Sequence, residues 1–246
     1  MLDRERFKLA SARAIEENEG GFLGIGRLSE KAMHRTLKLY YEPNTDFHEV
    51  EFEGSIADVK NGWGITEIQR SKLAYMIPKL ERFLPHCPVR VVLPIVAKKR
   101  VRWLDRKTGE ISESGRTVQG KRVQDLAFEI YKLRDYFGRD GFELDILLLD
   151  CDKYRSLDGW DETRKRGATK LETIPRELID GLLLTDRESC LCLLPDTVGE
   201  AFTEREFRTA VKSRSKYSYY TLRLLVELSL LTREKQGRKY VYKRIT

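Results

Sequence analysis

The sequence predicts an α/β protein, a mixed sheet flanked by helices, with a smaller basic module of two helices and a hairpin at its C-terminal end. Three observations predict it. From residue 28 to residue 150, segments with the period of an amphipathic helix alternate with segments of period two. The positive charge is concentrated at one end: residues 203–246 hold 12 Lys and Arg against 4 Asp and Glu, so the rest is nearly neutral although the chain carries +7. That same stretch opens on a helix-capping signature and closes on alternating aromatic residues after a glycine turn.

Each element follows in order. MLDRERFKLASARAIEENE carries charges throughout, which suits a short helix and not a signal peptide. LSEKAMHRTLKLYYEP reads as a helix opened by Ser29, with Met33, Leu37 and Tyr40 on its buried stripe and Glu30 in its first turn on the same stripe. Residues 47–53 alternate as a strand, SIADVKNG is a second, and Gly62 and Gly64 flank a turn into GITEIQ, so three strands form a meander. A helix from Arg70 to Phe83, kinked at Pro78, leads to an apolar strand from Val89 to Ala97. Residues 101–111 suggest a hairpin turning at Lys107 to Gly109, followed by a polar loop, SESGRTVQGKR. VQDLAFEIYKLRDYFG has the period of one amphipathic helix, and ELDILLLDCDKYR that of a buried strand. DGWDETRKRGATKLETIP has no period and reads as a linker, and helices are expected over residues 175–195.

Two carboxylates carry the chemistry. Period two puts Ile56, Asp58 and Lys60 on one face of the second strand, and Ile65, Glu67 and Gln69 on one face of the third. Asp58 and Glu67 therefore sit on adjacent strands among Ile, Ala and Val, where a carboxylate is costly to bury without a positive partner. Convergent carboxylates of this kind bind a divalent cation through hard oxygen ligands, and Mg²⁺ is the natural choice, with Mn²⁺ able to substitute.

Helix with Glu30, strand, strand with Asp58, strand with Glu67-Ile68-Gln69, helix and strand together resemble the core of the PD-(D/E)XK superfamily, the restriction-endonuclease-like nucleases. The resemblance implies that Asp58, Glu67 and the main-chain carbonyl of Ile68 hold the metal, that Glu30 assists, and that Gln69 orients the attacking water. It departs at Gln69, where the family usually has Lys: a neutral amide orients water but does not stabilise developing negative charge as an ammonium does. Lys60 or Lys72 could reach in from a neighbouring position.

In the C-terminal stretch, Thr203 and Glu206 form a capping box, Phe202 and Phe207 a hydrophobic staple, and a second helix shows Leu224, Leu225 and Leu228 on its inward face. A basic hairpin turning at Gln236 and Gly237 follows. Helix, tight turn, helix and hairpin resemble the winged helix-turn-helix family. By position, Ser213, Arg214, Ser215, Lys216, Tyr219 and Arg223 would face the major groove, and Lys235, Arg238 and Lys239 the phosphate backbone. Lys98, Lys99, Arg100 and Arg102 form a further basic cluster, read equally as a DNA-facing rim or a solvated strand end. Arg116, Lys121 and Arg122 invite the same two readings.

The expected organisation is an N-terminal helix and lead-in over 1–27, a nuclease-like α/β domain over 28–160, a linker with bridging helices over 161–198, and the winged helix over 199–246. The function expected from the resemblance is Mg²⁺-dependent hydrolysis of phosphodiester bonds in double-stranded DNA. Its rival is an inactive DNA-binding regulator that keeps the nuclease-like fold. A single-site nuclease needs two copies to cut both strands, so a homodimer is expected with it. No apolar run approaches the roughly 20 residues of a membrane span, no CxxC pair occurs among Cys87, Cys151, Cys190 and Cys192, and a cytoplasmic location is expected. Cys190 and Cys192 read as small buried hydrophobes, and His34, His48 and His86 show no metal-ligand spacing.

Overall fold

A computed structural model describes residues 2–17, 31–105, 108–156, 169–212 and 214–245. The N-terminal segment forms helix α1 (Arg4–Glu16), started by the Asp3 side chain, which accepts the Arg6 N–H at 2.9 Å. Phe7, Ala10, Ser11 and Ala14 line its buried face. Helix α2 (Ala32–Tyr41) buries Met33, Leu37 and Tyr40, the expected stripe. Ser29, expected to open it, lies outside the described residues.

The meander is as expected: β1 (His48–Phe52), β2 (Ser55–Lys60) and β3 (Ile65–Ile68) pair antiparallel in sequence order. Glu53 and Gly54 both take left-handed φ, the two-residue turn that matches the twist of a hairpin. Next comes a 3-10 turn at Leu73–Met76 and then α3 (Ile77–Phe83). Pro78 lies in the first turn of α3, where its missing N–H is not needed, so it starts this helix and does not kink a longer one.

Strand β4 (Val89–Leu104) is 16 residues long and organises the sheet. β6 (Phe142–Ser156) pairs parallel along one of its edges. The other edge serves two partners in turn: β3, parallel, along Val89–Val92, and β5 (Ile111–Gln119), antiparallel, along Lys98–Leu104. β7 (Thr169–Leu184) closes the far side against β6, giving a mixed seven-stranded sheet in the order β1-β2-β3-β4-β6-β7 with β5 on β4.

Three expectations fail here. The polar stretch after Ile111 is strand β5, because the second half of β4 offers it an edge. Residues 169–184, expected as linker and bridging helix, are strand β7; Pro175 and Gly181 disfavour a helix, and register shifts along β6 accommodate them. The single helix expected over VQDLAFEIYKLRDYFG is instead a five-residue α4 (Ala127–Tyr131) between 3-10 turns. Its buried residues Val123, Leu126, Ile130, Leu133 and Tyr136 recur mostly at three-residue spacing, the period of a 3-10 helix.

Among the described residues, side chains from the two faces of the sheet build two large cores and a small third one around Ala32, Tyr154 and Ile174. Val92, Leu147, Leu149 and Cys151 pack under α1 and α2. Val89, Val91, Leu93, Leu144 and Ile146 pack with Leu80, Phe83, Leu126 and Ile130 on the other face. This second core continues without a break into the C-terminal module through Phe202, Phe207, Leu222, Leu225 and Tyr242. The module comprises β8 (Ala201–Thr203), α5 (Glu204–Val211), α6 (Ser215–Glu227), β9 (Leu231–Gln236) and β10 (Lys239–Arg244), with a three-stranded sheet in the order β8-β10-β9. The capping box of Thr203 and Glu206 is present, and the Phe202 and Phe207 rings lie 6.2 Å apart. Cys190 is buried but Cys192 is exposed, so only the first is a core hydrophobe. No described helix is long and apolar enough to cross a membrane.

Just past β5, residue 120 runs close against β4, where a Cβ in place of glycine would clash with the Val96 main-chain carbonyl. Gly120→Ala is expected to destabilise the protein by about 2 kcal/mol or more, read as a fall of roughly 5 °C in the thermal unfolding midpoint. An unchanged midpoint would mean that β5 contributes little to the fold.

Candidate functional site

The site begins where the β2–β3 ladder changes character. Lys60 pairs with Ile65 and Val59 with Thr66. At the next position carboxylates take over as acceptors: the Ile68 N–H donates to Asp58 Oδ2 at 2.7 Å, and the Asp58 N–H donates to Glu67 Oε1 at 3.4 Å. The two acids then meet different partners. Asp58 faces α2, where His34 Nε2 lies 3.1 Å from Oδ2. Glu67, only 2% exposed, faces α3, where the Lys79 ammonium lies 3.0 and 2.7 Å from its two oxygens and also donates to the Ile56 carbonyl at 2.7 Å.

These partners set the charges. Burial, and then the neighbouring Asp58 charge, raise the Glu67 carboxyl to about 7 against the pull of Lys79. Burial also pushes Asp58 up, but the His34 hydrogen bond and charge, the Ile68 N–H and Lys79 outweigh it and leave Asp58 below its ordinary range. The pair thus holds one committed carboxylate and one that shares a proton readily.

His34, Glu49 and Asp58 bring one ligand atom each to within 4.8 Å of one another. Two carboxylate oxygens and an imidazole nitrogen form a donor set that fits a divalent cation. Beside them opens a cavity of about 610 Å³ lined by Lys31, His34, Lys38, Glu49, Ile68, Gln69, Arg70 and Ser71. Lys38 holds Glu49 at 2.6 Å.

Of the residues expected from sequence, Asp58 and Glu67 are adjacent, and Ile68 and Gln69 line the cavity, with the Gln69 amide donating to the Ser71 carbonyl at 2.6 Å. Glu30 lies outside the described residues. Neither lysine expected to compensate for Gln69 does so: Lys60 sits over the Phe52 ring at 4.7 Å and Lys72 over Tyr75 at 5.3 Å. Lys79 is the lysine that reaches Glu67. His34, which shows no metal-ligand spacing with the other histidines in the sequence, contacts Asp58 directly. The signal for His34 was present: it is one position past the buried Met33, on the edge of the α2 stripe that leans over β2 and β3.

In the C-terminal module the expected groove-facing residues turn out to be partly engaged. Lys216 lies 5.4 Å from the Phe128 ring centre, and Tyr219 packs edge-on against Tyr220, which packs on Phe128. Arg223 is paired with Glu227 at 2.7 Å and sits over Tyr131 at 4.9 Å. The flank of α6 carrying Lys216 and Arg223 therefore meets α4. Arg214 is exposed, Ser213 lies outside the described residues, and so does the side chain of Ser215. Lys235 is exposed, while Arg238 and Lys239 join Arg205 and Arg208 around a second cavity of about 350 Å³.

A family model described as "Domain of unknown function (DUF8091)" matches residues 31–185. The chain belongs to this family. The family region begins at the foot of α2 and ends with β7, so it takes in the whole seven-stranded sheet, the His34–Glu49–Asp58 group and Lys79, and leaves out the C-terminal module. An uncharacterized protein of Treponema pallidum (strain Nichols) is similar, 29% identical over 157 residues, which are 63% of this chain and 61% of that protein. The similarity thus spans less than two thirds of the relative's length. No solved structure matches the chain.

Proposed function

We propose that the chain is a divalent-cation-dependent endonuclease acting on double-stranded DNA, with a restriction-endonuclease-like core. The observation that carries this reading is the Asp58–Glu67–Lys79 arrangement. The sequence has Gln69 where a lysine is expected, and the Lys79 ammonium from α3 supplies that positive charge at Glu67. The order α2, β1, β2, β3, α3, β4, an antiparallel meander joined by a helical crossover to a parallel strand, supports it further.

His34, Glu49 and Asp58 would hold the cation, which when bound polarises a phosphoryl oxygen and lowers the pKa of a water molecule. An imidazole beside two carboxylates favours Mn²⁺ over Mg²⁺. The chain's own groups do the rest. Lys79 keeps Glu67 charged enough to accept a proton, and the Gln69 amide, fixed by the Ser71 carbonyl, orients water at the cavity wall. Lys31 and Arg70 at the rim balance phosphate charge.

We read the C-terminal module as a winged helix that holds the duplex. Because part of α6 faces α4, the phosphate contacts fall on the α5 and β10 side, at Arg205, Arg208, Arg238 and Lys239. The double variant Arg238→Ala/Lys239→Ala is expected to weaken duplex binding and to reduce the slope of log K against log salt by about 2. Arg223→Ala is expected to leave that slope unchanged. Fluorescence anisotropy over a salt series checks both, and the reverse pattern would return the contact surface to α6.

The deciding experiment incubates the protein with plasmid and linear duplex in Mg²⁺, Mn²⁺ or EDTA, beside an Asp58→Asn control. Metal-dependent cleavage lost in the control is expected. Tight binding without cleavage in either metal would favour the regulator reading.

A further inference from the structure

The outer edge of β4 is open between its two partners. β3 ends with the Gln69 N–H on the Val92 carbonyl at 2.9 Å, and pairing resumes with the Lys121 N–H on the Val96 carbonyl at 2.9 Å and the Gly120 N–H on that of Ala97 at 2.8 Å. Pro94 lies in the gap on the same edge, where it has no N–H to leave unpaired. Over this notch is a cavity of about 370 Å³ whose lining includes Arg70, Lys99, Lys121 and Lys153 but no carboxylate.

None of these four cations forms an ion pair among the described residues. Their strand neighbours behave differently: Arg100 is held by Asp150 at 3.0 Å and Arg102 by Asp152 at 3.2 Å. β4 and β6 thus sort their charges by face, neutralised on one and left unbalanced on the other, with the bulge between Val96 and Lys98 resetting the register just before Lys99. Burial first, and then the cations Lys99, Arg155 and Arg70, push the Lys153 amine below its ordinary range, and the buried Glu172 carboxyl is the acid that feels Arg70. Such a cluster is relieved by a bound anion. Arg70 also lines the cavity beside His34 and Glu49, so the two cavities share a wall.

We propose that the notch formed by Arg70, Lys99, Lys121 and Lys153 is a phosphate-binding site. That the phosphate belongs to the strand being cut rests on the nuclease reading; the anion site itself does not.

The test compares wild type with the double variant Lys99→Met/Lys153→Met, in EDTA so that no cleavage intervenes. Inorganic phosphate is expected to raise the thermal midpoint of wild type above that in chloride of equal ionic strength, and not that of the variant. Duplex affinity at low salt is expected to fall about tenfold in the variant, with the salt slope reduced by about 2. A 5′-phosphorylated duplex preferred by wild type alone identifies a terminal phosphate as the ligand. Equal loss for phosphorylated and unphosphorylated duplex identifies an internal phosphodiester, and a phosphate effect without any duplex effect identifies a free phosphate. A variant matching wild type with all these probes overturns the site. Asp58→Asn separates the two proposals: it is expected to abolish cleavage while keeping the phosphate effect. Cleavage surviving in Asp58→Asn would sink the nuclease reading and leave the notch standing.

Discussion

Replacing Lys79 by alanine is expected to destabilise the protein increasingly above pH 7, by about 1.4 kcal/mol at pH 8 and about 3 kcal/mol near pH 9, because it strands a buried carboxylate. Glu67 is 3% exposed at its side chain and draws its positive charge from Lys79 at 2.7 Å. Its folded pKa, about 7, already stands above the unfolded value of 4.5, so the folded protein holds the extra proton between those limits and loses stability as pH rises through them. Without Lys79 that window extends upward. The deficit of Lys79→Ala is therefore small up to about pH 7, where Glu67 is protonated in both folded proteins, and grows between about pH 7 and pH 9, where only the wild type ionises. Thermal unfolding in EDTA across this range checks it, and adding Glu67→Gln is expected to restore most of the loss. A deficit independent of pH would show that Lys79 acts through packing and not through charge.

The second large effect is on catalysis. Asp58→Asn is expected to lower metal-dependent cleavage by about 10³-fold, the scale on which removing one group that stabilises transition-state charge is felt. The fold survives, because the asparagine oxygen can still accept the Ile68 N–H that Asp58 accepts at 2.7 Å. Mn²⁺ is expected to raise the thermal midpoint of wild type and not of the variant. Cleavage within tenfold of wild type would remove Asp58 from the chemistry.

How much of this was legible depended on distance along the chain. The meander could be read because alternation and the turn glycines are local, and that placed Asp58 opposite Glu67 from sequence. The capping box at Thr203 and Glu206 was legible for the same reason. β7 was not, since a leucine-rich stretch becomes a strand only when β6 presents a free edge to it. Lys79 and His34 were missed because their contacts depend on where α3 and α2 cross the sheet, 12 residues after Glu67 and 24 before Asp58. Glu49 joins them from β1 at a left-handed φ that no alternation pattern encodes.

The core that passes unbroken from β4 through α4 into α6 has a consequence for how a duplex would be measured. A module on a flexible tether samples many distances and lets the catalytic centre strike wherever it lands. Here Phe128, Tyr131, Tyr220 and Arg223 seat the module on the sheet domain. On the nuclease reading this seating turns the molecule into a ruler: the separation between the phosphates gripped at Arg238 and Lys239 and the bond presented to Asp58 is built into the packing. The place of the cut is then counted from the grip and not chosen at the centre.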